Sequence, residues 1–253
     1  DFDTVLAFFK PQAEAFKKYG LEIGQAHAPF PSLVADRPHV EQYSIRMLKN
    51  CIKLCDYYGV KNLVIHGTAV YAWDKYNTWE NIDKLHLKLF SSLIPYLKGT
   101  CVTIGIENLF AENNKLMVDA INANPYKAAK LVDELNALCD GETHFGVCFD
   151  VGHLNLTHGY FSVFMEVLGK RITCLHVHDN GGVNDDHRMP YTGTVPWAEF
   201  IRELKKIGYD GNMNFETFHQ YEVIPKELIP SALSLTAACG RYFIKQITGK
   251  EAE

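Results

Sequence analysis

Apolar positions along this chain follow two rhythms. Over residues 3–19 they recur every three or four places (Leu6, Phe9, Ala13, Phe16) and stop at Gly20, the spacing of a helix with one apolar face. The next run, 21–27, ends on His27 and is broken by Ala28-Pro29-Phe30-Pro31, which predicts a strand. The rhythms then alternate. Helices are predicted at 41–58, with Ile45, Leu48, Ile52 and Cys55 on one face and Gly59 as the stop, and at 79–97. Further helices follow at 125–139, 161–168, from 196 onward and at 225–247. Asn124-Pro125 supplies a cap and a first-turn proline for one of them. Strands are predicted at 62–67, 102–108, 145–150, 172–179 and 211–216. Six strand-then-helix units in tandem, with no linker or low-complexity segment between them, place the chain in the α/β class. They predict one domain over 1–253, with a parallel sheet covered by helices.

Polar residues interrupt this pattern at one place in each unit. The predicted strands close on His27, His66, Glu107, Asp150, His176 and Glu216. In parallel α/β folds the active site lies at the carboxyl ends of the strands. Glu107, Asp150, His176 and Glu216 together offer three carboxylates and one imidazole. Without a cation, carboxylates packed closely repel one another and take up protons. With a divalent cation they become a mixed oxygen and nitrogen coordination sphere, suited to Mn2+, Mg2+ or Co2+ more than a closed cysteine-type zinc site is. His176 and His178 lie two apart on one predicted strand, so both point to the same side; one can ligate while the other supports a ligand or touches substrate. His153 stands three past Asp150, and Asp185 with His187 forms a second acid and imidazole pair. His27 and His66 read equally as further ligands or as structural or substrate contacts. His39, His86, His144 and His158 fall in helices or loops and read as surface or structural residues. His219 reads as a rim residue, and Trp73, Trp79 and Trp197 as packing. Taken singly, any of the site residues has a bland reading as a helix cap or a core group; their joint recurrence at strand ends argues for chemistry.

Composition narrows the class of function. Apolar residues make up 47% and charged residues 22%, enough for a globular core without staples. The formal net charge of -5 argues against a nucleic-acid backbone as the main partner. No apolar run is long enough to span a bilayer and no signal peptide is visible. The seven cysteines include no Cys-x-x-Cys pair, which points to the reducing cytosol and a cytoplasmic protein. Cys51 and Cys55, four apart, read as two helix-face residues.

The motifs HAPF (27–30), VIHG (64–67), IGIEN (104–108), FDVGH (149–153), LHVHDN (175–180), DDHRMPYTGTVPW (185–197) and NFET (214–217) resemble, in this order and spacing, the xylose-isomerase-like barrel superfamily. Its members include sugar and sugar-phosphate isomerases and epimerases, inosose-processing enzymes and the endonuclease IV family. The resemblance implies a (β/α)8 TIM barrel. HAPF resembles the end of a third strand, so the first two βα units are absent or truncated in this chain. It implies one divalent metal (Mn2+, Mg2+, Co2+ or Zn2+) on Glu107, Asp150, His176 and Glu216, and an acid/base pair in Glu107 and Glu216. In that scheme a proton moves next to a carbonyl through a metal-stabilised enediolate. His153 would contact substrate and His187 would orient or protonate it, with His66, His178 and Arg188 as further substrate contacts and Arg188 or Lys115 available to a phosphate. A small carbohydrate is the implied partner, and sugar isomerases of this shape often pair into homo-oligomers. The ketose 3-epimerases of the superfamily carry a further Glu and an Arg where this chain has Asn113 and Gly182. Endonuclease IV holds up to three Zn2+ on positions matching His27, His66, Glu107, Asp150, His153, His176, Asp185, His187 and Glu216, which implies phosphodiester cleavage at abasic DNA as the alternative. The loop after His187, with its glycine at 193, is longer than the endonuclease pattern. A barrel that binds sugar or metal without turnover is the non-enzymatic alternative.

Overall fold

The alternation of strands and helices is present in a computed structural model, which describes residues 1–31, 37–67, 78–113, 116–120 and 122–250. Trp73 and Lys115 lie outside the described residues. In chain order the elements begin with α1 (Phe2–Lys18), β1 (Gln25–His27), α2 (Pro38–Tyr58), β2 (Asn62–Ile65), α3 (Trp79–Ser91), α4 (Ile94–Leu97) and β3 (Thr103–Glu107). They continue with β4 (Phe110–Asn113), β5 (Leu116–Asp119), α5 (Pro125–Ala137), β6 (Phe145–Asp150), α6 (Val151–Leu156), α7 (Phe161–Leu168) and β7 (Ile172–His176). Last come α8 (Trp197–Ile207), α9 (Phe218–Glu222) and α10 (Ile229–Thr248). The chain divides into two units, residues 1–107 with 130–147 and residues 108–129 with 148–253.

In the first unit β1, β2 and β3 pair in parallel, with His27 opposite Val64 and Ile65 opposite Ile106. That register brings the carboxyl ends of the three strands level. Leu63, Val64, Ile65, Ile104 and Ile106 are all buried, the unbroken apolar run of a parallel strand covered on both faces. Helix α2 buries Leu48, Ile52 and Cys55 against this core. It ends at Gly59, whose φ of 70° belongs to the left-handed region that glycine enters without a Cβ clash. Asn136 ties the end of α5 to the start of β6. Its Oδ1 accepts from the backbone N–H of His144 and Phe145, both at 3.0 Å, and its Nδ2 donates to the Phe145 carbonyl at 2.9 Å. His144 is a satisfied core histidine, with Nδ1 at 2.8 Å from the Val102 carbonyl and Nε2 at 2.8 Å from Glu142.

In the second unit the last residues of β6 run directly into α6, and β7 lies beside β6 in the strand order. Aromatic rings fill its core: Phe149 meets Phe161 and Phe164 at 5.9 and 5.7 Å, and Trp197 stacks on Phe243 at 5.2 Å. Trp197 is buried, as its packing role requires.

The structure departs from the sequence expectations in several places. The strand expected over 21–27 is reduced to Gln25–His27; Leu21 is 58% exposed, and the preceding residues form no ladder. The strand expected over 211–216 is a single parallel bridge between Val177 and Phe215. Gly211, Asn212 and Asn214 have poor strand propensity, and none of 211–216 is buried. The strand expected over 172–179 stops at His176. The hairpin of β4 and β5, antiparallel with Phe110 opposite Asp119, was not anticipated, and neither was α6. Helix α1 forms, capped by the Asp1 side chain accepting from Thr4 N–H at 2.9 Å, yet buries none of its apolar stripe. Leu6, Ala13 and Phe16 line a cavity of about 840 Å³ with Ile23 and Tyr57.

Candidate metal centre

In the first unit the level strand ends bring three of the predicted residues together. Glu107, the last residue of β3, is 1% exposed. Its Oε2 lies 2.9 Å from His66 Nε2 and 3.4 Å from His27 Nε2. His27 Nδ1 donates to the Ala28 carbonyl at 2.7 Å, which leaves Nε2 facing the carboxylate. Phe30 stacks on His66 at 4.3 Å between ring centres and stays 64% exposed.

The second unit gathers the remainder. Asp150 ends β6 and is fully buried. It also caps α6, its Oδ1 accepting from His153 N–H at 2.7 Å. The same carboxylate accepts from His178 Nε2 at 3.1 and 3.2 Å. His176 lies beside it, with Nδ1 3.7 Å from Asp150 Oδ2 and Nε2 3.3 Å from Glu216 Oε1. Glu216 is set by the bridge below it: Val177 N–H donates to the Asn214 carbonyl at 2.8 Å and Glu216 N–H to the Val177 carbonyl at 3.1 Å. Each of Asp150, His176 and Glu216 offers a ligand atom, and these lie within 4.8 Å of one another.

A second group meets by the same measure: His153, His178, Asp185 and His187. His153 Nδ1 donates to the Asn108 carbonyl at 2.8 Å, which orients the ring and turns Nε2 toward Asp185. That Nε2 lies 3.6 Å from Asp185 Oδ2. His187 turns Nδ1 toward the Glu216 carbonyl at 2.8 Å and Nε2 toward Asp185 Oδ2 at 2.9 Å. Burial opposes charge on its ring, but acceptors at both nitrogens favour the imidazolium, so its pKa is raised. Burial would likewise raise the Asp185 carboxyl, yet hydrogen bonds from His153 and His187 outweigh that and hold it well below the usual carboxylate range. His187 takes a left-handed φ of 46°, an uncommon conformation for a residue with a Cβ.

Donor chemistry and burial test whether these residues suit a cation. Asp150, His176 and Glu216 are an oxygen-rich set with one imidazole, the kind that suits a divalent ion of intermediate hardness. In the second group two buried atoms, Asp185 Oδ1 and His178 Nδ1, find no hydrogen-bond partner among the described residues, a costly state that a bound ion or water relieves at a carboxylate. The residues therefore fit a divalent cation. The thiols do not compete, since burial pushes Cys51 and Cys55 up to about 11 and about 12, far from thiolate at neutral pH.

Several residues that shape the site carried no role in the sequence reading. Asn108 clasps Asp150, its Nδ2 donating to the Asp150 carbonyl at 3.0 Å and its Oδ1 accepting the Asp150 N–H at 2.7 Å. Gly152 lies flat against the His178 imidazole, where any side chain would overlap the ring. Phe110, on the unforeseen hairpin, sets its ring 5.0 Å from that of His153. Asn108 and Gly152 fall inside quoted motifs, so the signal was present without a geometry to interpret it. Arg188 pairs with Asp186 at 2.9 Å. His219 is exposed, its ring 5.3 Å from that of His187.

Known proteins are similar to this chain in sequence and in fold. An uncharacterised protein of Sinorhizobium fredii is 31% identical over 181 residues, 70% of this chain. The match spans about half of that protein, 53% of its length. The crystal structure of a D-tagatose 3-epimerase-like protein matches with a TM-score of 0.68 at 23% identity, covering 91% of this chain and 84% of its own. That of the IOLI protein with a binding zinc atom matches at 0.74 and 19% identity, covering 99% and 87%. Residues 12–239 match the model of the xylose isomerase-like TIM barrel family, and the chain belongs to that family.

Proposed function

We propose that this chain acts as a divalent-metal-dependent isomerase or epimerase of a small carbohydrate or sugar phosphate. One observation carries the reading: Asp150, His176 and Glu216 present ligand atoms within 4.8 Å of one another at the carboxyl ends of their segments. The epimerase-like and zinc-binding proteins among the similar structures support it. Asp150, His176, Glu216 and, by its motif, Glu107 would hold the cation. Such a cation supplies Lewis-acid polarisation of a substrate carbonyl. The protein's own groups move the proton. Glu107 and Glu216 form the acid/base pair, one removing the proton next to the carbonyl and the other returning a proton at a neighbouring carbon or on the opposite face. His27 and His66 orient the Glu107 carboxylate. His178 holds Asp150 in place, while His153, His187 and Arg188 serve as substrate contacts.

Metal analysis and isotope exchange test the proposal. About one Mn2+ or similar ion per chain is expected, and solvent deuterium should enter the sugar during turnover. An active preparation that incorporates no deuterium would rule out proton transfer.

A second reading has its own observation. The group His153, His178, Asp185 and His187, with two atoms unsatisfied among the described residues, suits a further cation, and several zinc ions favour phosphodiester cleavage at abasic DNA. Three tightly held Zn2+ and nicking of an abasic duplex, lost on His66→Ala, would establish it over the sugar reading. The net charge of -5 weighs against a duplex partner.

A further inference from the structure

We propose that Asp179 is a positioning residue that holds the loop carrying Asp185 and His187 in shape, with Trp197 as its partner. The inference rests on the reading of Asp185 and His187 as part of a working site. Asp179 is fully buried. Among the described residues its carboxylate meets three N–H donors and no lysine or arginine. Oδ2 accepts from Trp197 Nε1 at 2.9 Å, and Oδ1 from the N–H of Asn180 at 2.9 Å and of Val195 at 3.1 Å. Its backbone exchanges a pair of bonds with Arg188: Asp179 N–H to the Arg188 carbonyl at 2.8 Å, and Arg188 N–H to the Asp179 carbonyl at 2.9 Å.

These contacts close the segment 180–196 at three points. Its first residue, its midpoint next to His187, and its exit into α8 are all tied to one side chain or its own backbone. Asn180 extends the closure. It is fully buried, donates to the Gly152 carbonyl at 2.9 Å, accepts from Asn155 at 2.8 Å, and receives Thr194 N–H on its own carbonyl at 2.8 Å. Gly193 is packed so closely that a side chain there would overlap the Asn180 carbonyl and Asp179 Oδ1. The strained φ of His187 lies one residue from the Arg188 pair. Such a conformation persists only where its surroundings over-determine it. A buried carboxylate is costly to keep when an apolar residue would fill the space. What it supplies here is a set of directional bonds that fix where His187 and Asp185 stand.

The test uses the 15N and 13C resonances of the His187 ring in the metal-free full chain, assigned with His187→Gln and read at one pH. Asp179→Asn turns an amide NH2 toward the indole N–H or the backbone donors. In folded protein it is expected to shift or broaden the His187 resonances. Adding Trp197→Phe removes the opposing indole donor and should return them toward their wild-type positions. An Asp179→Asn protein with unchanged circular dichroism and unmoved His187 resonances would overturn the proposal. If Asp179→Asn does not fold, Trp197→Phe alone removes one of the three donors: a smaller shift of the same resonances supports the clamp, and none defeats it. A Mn2+ titration of the wild type is run in parallel. A wild type that binds no divalent ion would sink the proposed function and leave the resonance measurement valid.

Discussion

Asp150 shows how one side chain can serve fold and chemistry together. Its carboxylate caps α6 and accepts from His178 while facing His176. Asp150→Ala is therefore expected to cost about 1 kcal/mol through the lost cap and to weaken Mn2+ binding by more than the 10–100-fold typical of a supporting group (about 10–100). Calorimetric titration checks the second and urea unfolding the first. Glu216→Gln keeps the shape and removes the base; turnover should fall by about 10²–10⁴-fold, read as deuterium incorporation. The Asp185–His187 pair sets a pH dependence. His187 has a raised pKa in the folded state, so its contribution to stability is complete below its unfolded value of about 6.5 and is lost as pH rises through the folded value. Asp185 is depressed, so its contribution is present above its unfolded value of about 3.9 and is lost as pH falls toward the folded value. The metal-free protein should therefore unfold at lower urea above neutrality than near pH 6. Under the second reading, in which the His153, His178, Asp185 and His187 group holds a further cation, affinity at that group should move the other way, rising with pH, because a ligand nitrogen on His187 must shed its proton. Metal affinity that does not vary between pH 6 and 8 would count against His187 as a ligand.

At the scale of elements, what could be read from the sequence divides by length. The long amphipathic helices α2, α5 and α10 and the apolar strands β2, β3 and β6 stand where their periodicity places them, because each buries a face that the sequence spells out. The short elements were not legible. Helix α6 has six residues, too few to show a period, and its start is marked only by the Asp150 that also ends β6. The β4–β5 hairpin consists of two four-residue strands, without the Asn-Gly or Asp-Gly turn that signals such a connection. Gly152→Ala tests the contact between α6 and His178: a Cβ would overlap the imidazole, so a loss of about 1–3 kcal/mol is expected in denaturant unfolding. Asn136→Ala removes three bonds that join α5 to β6 and leaves two backbone donors without their acceptor. A cost of about 1–3 kcal/mol is expected, measured in the same way.

For the whole molecule, the membership of a barrel family sets the frame and the clusters in each unit set the chemistry to be tested. Among the described residues no helix is long and apolar enough to cross a membrane. The sequence by itself determined the α/β class, the family and the identity of the strand-end residues. It could do so because hydrophobic period and motif order are local properties of the chain. It also marked Glu107, Asp150, His176 and Glu216 as a set, and the second unit gathers the last three. Only the tertiary structure decided which groups stand close enough to act together: Glu107 beside His27 and His66, Asp150 held by His178 and Asn108, and His187 turned between Asp185 and the Glu216 carbonyl. Those pairings depend on strand register, on a left-handed backbone angle and on loop closure by buried polar groups. Each is set by contacts between residues far apart in the chain, and no spacing along the sequence encodes them.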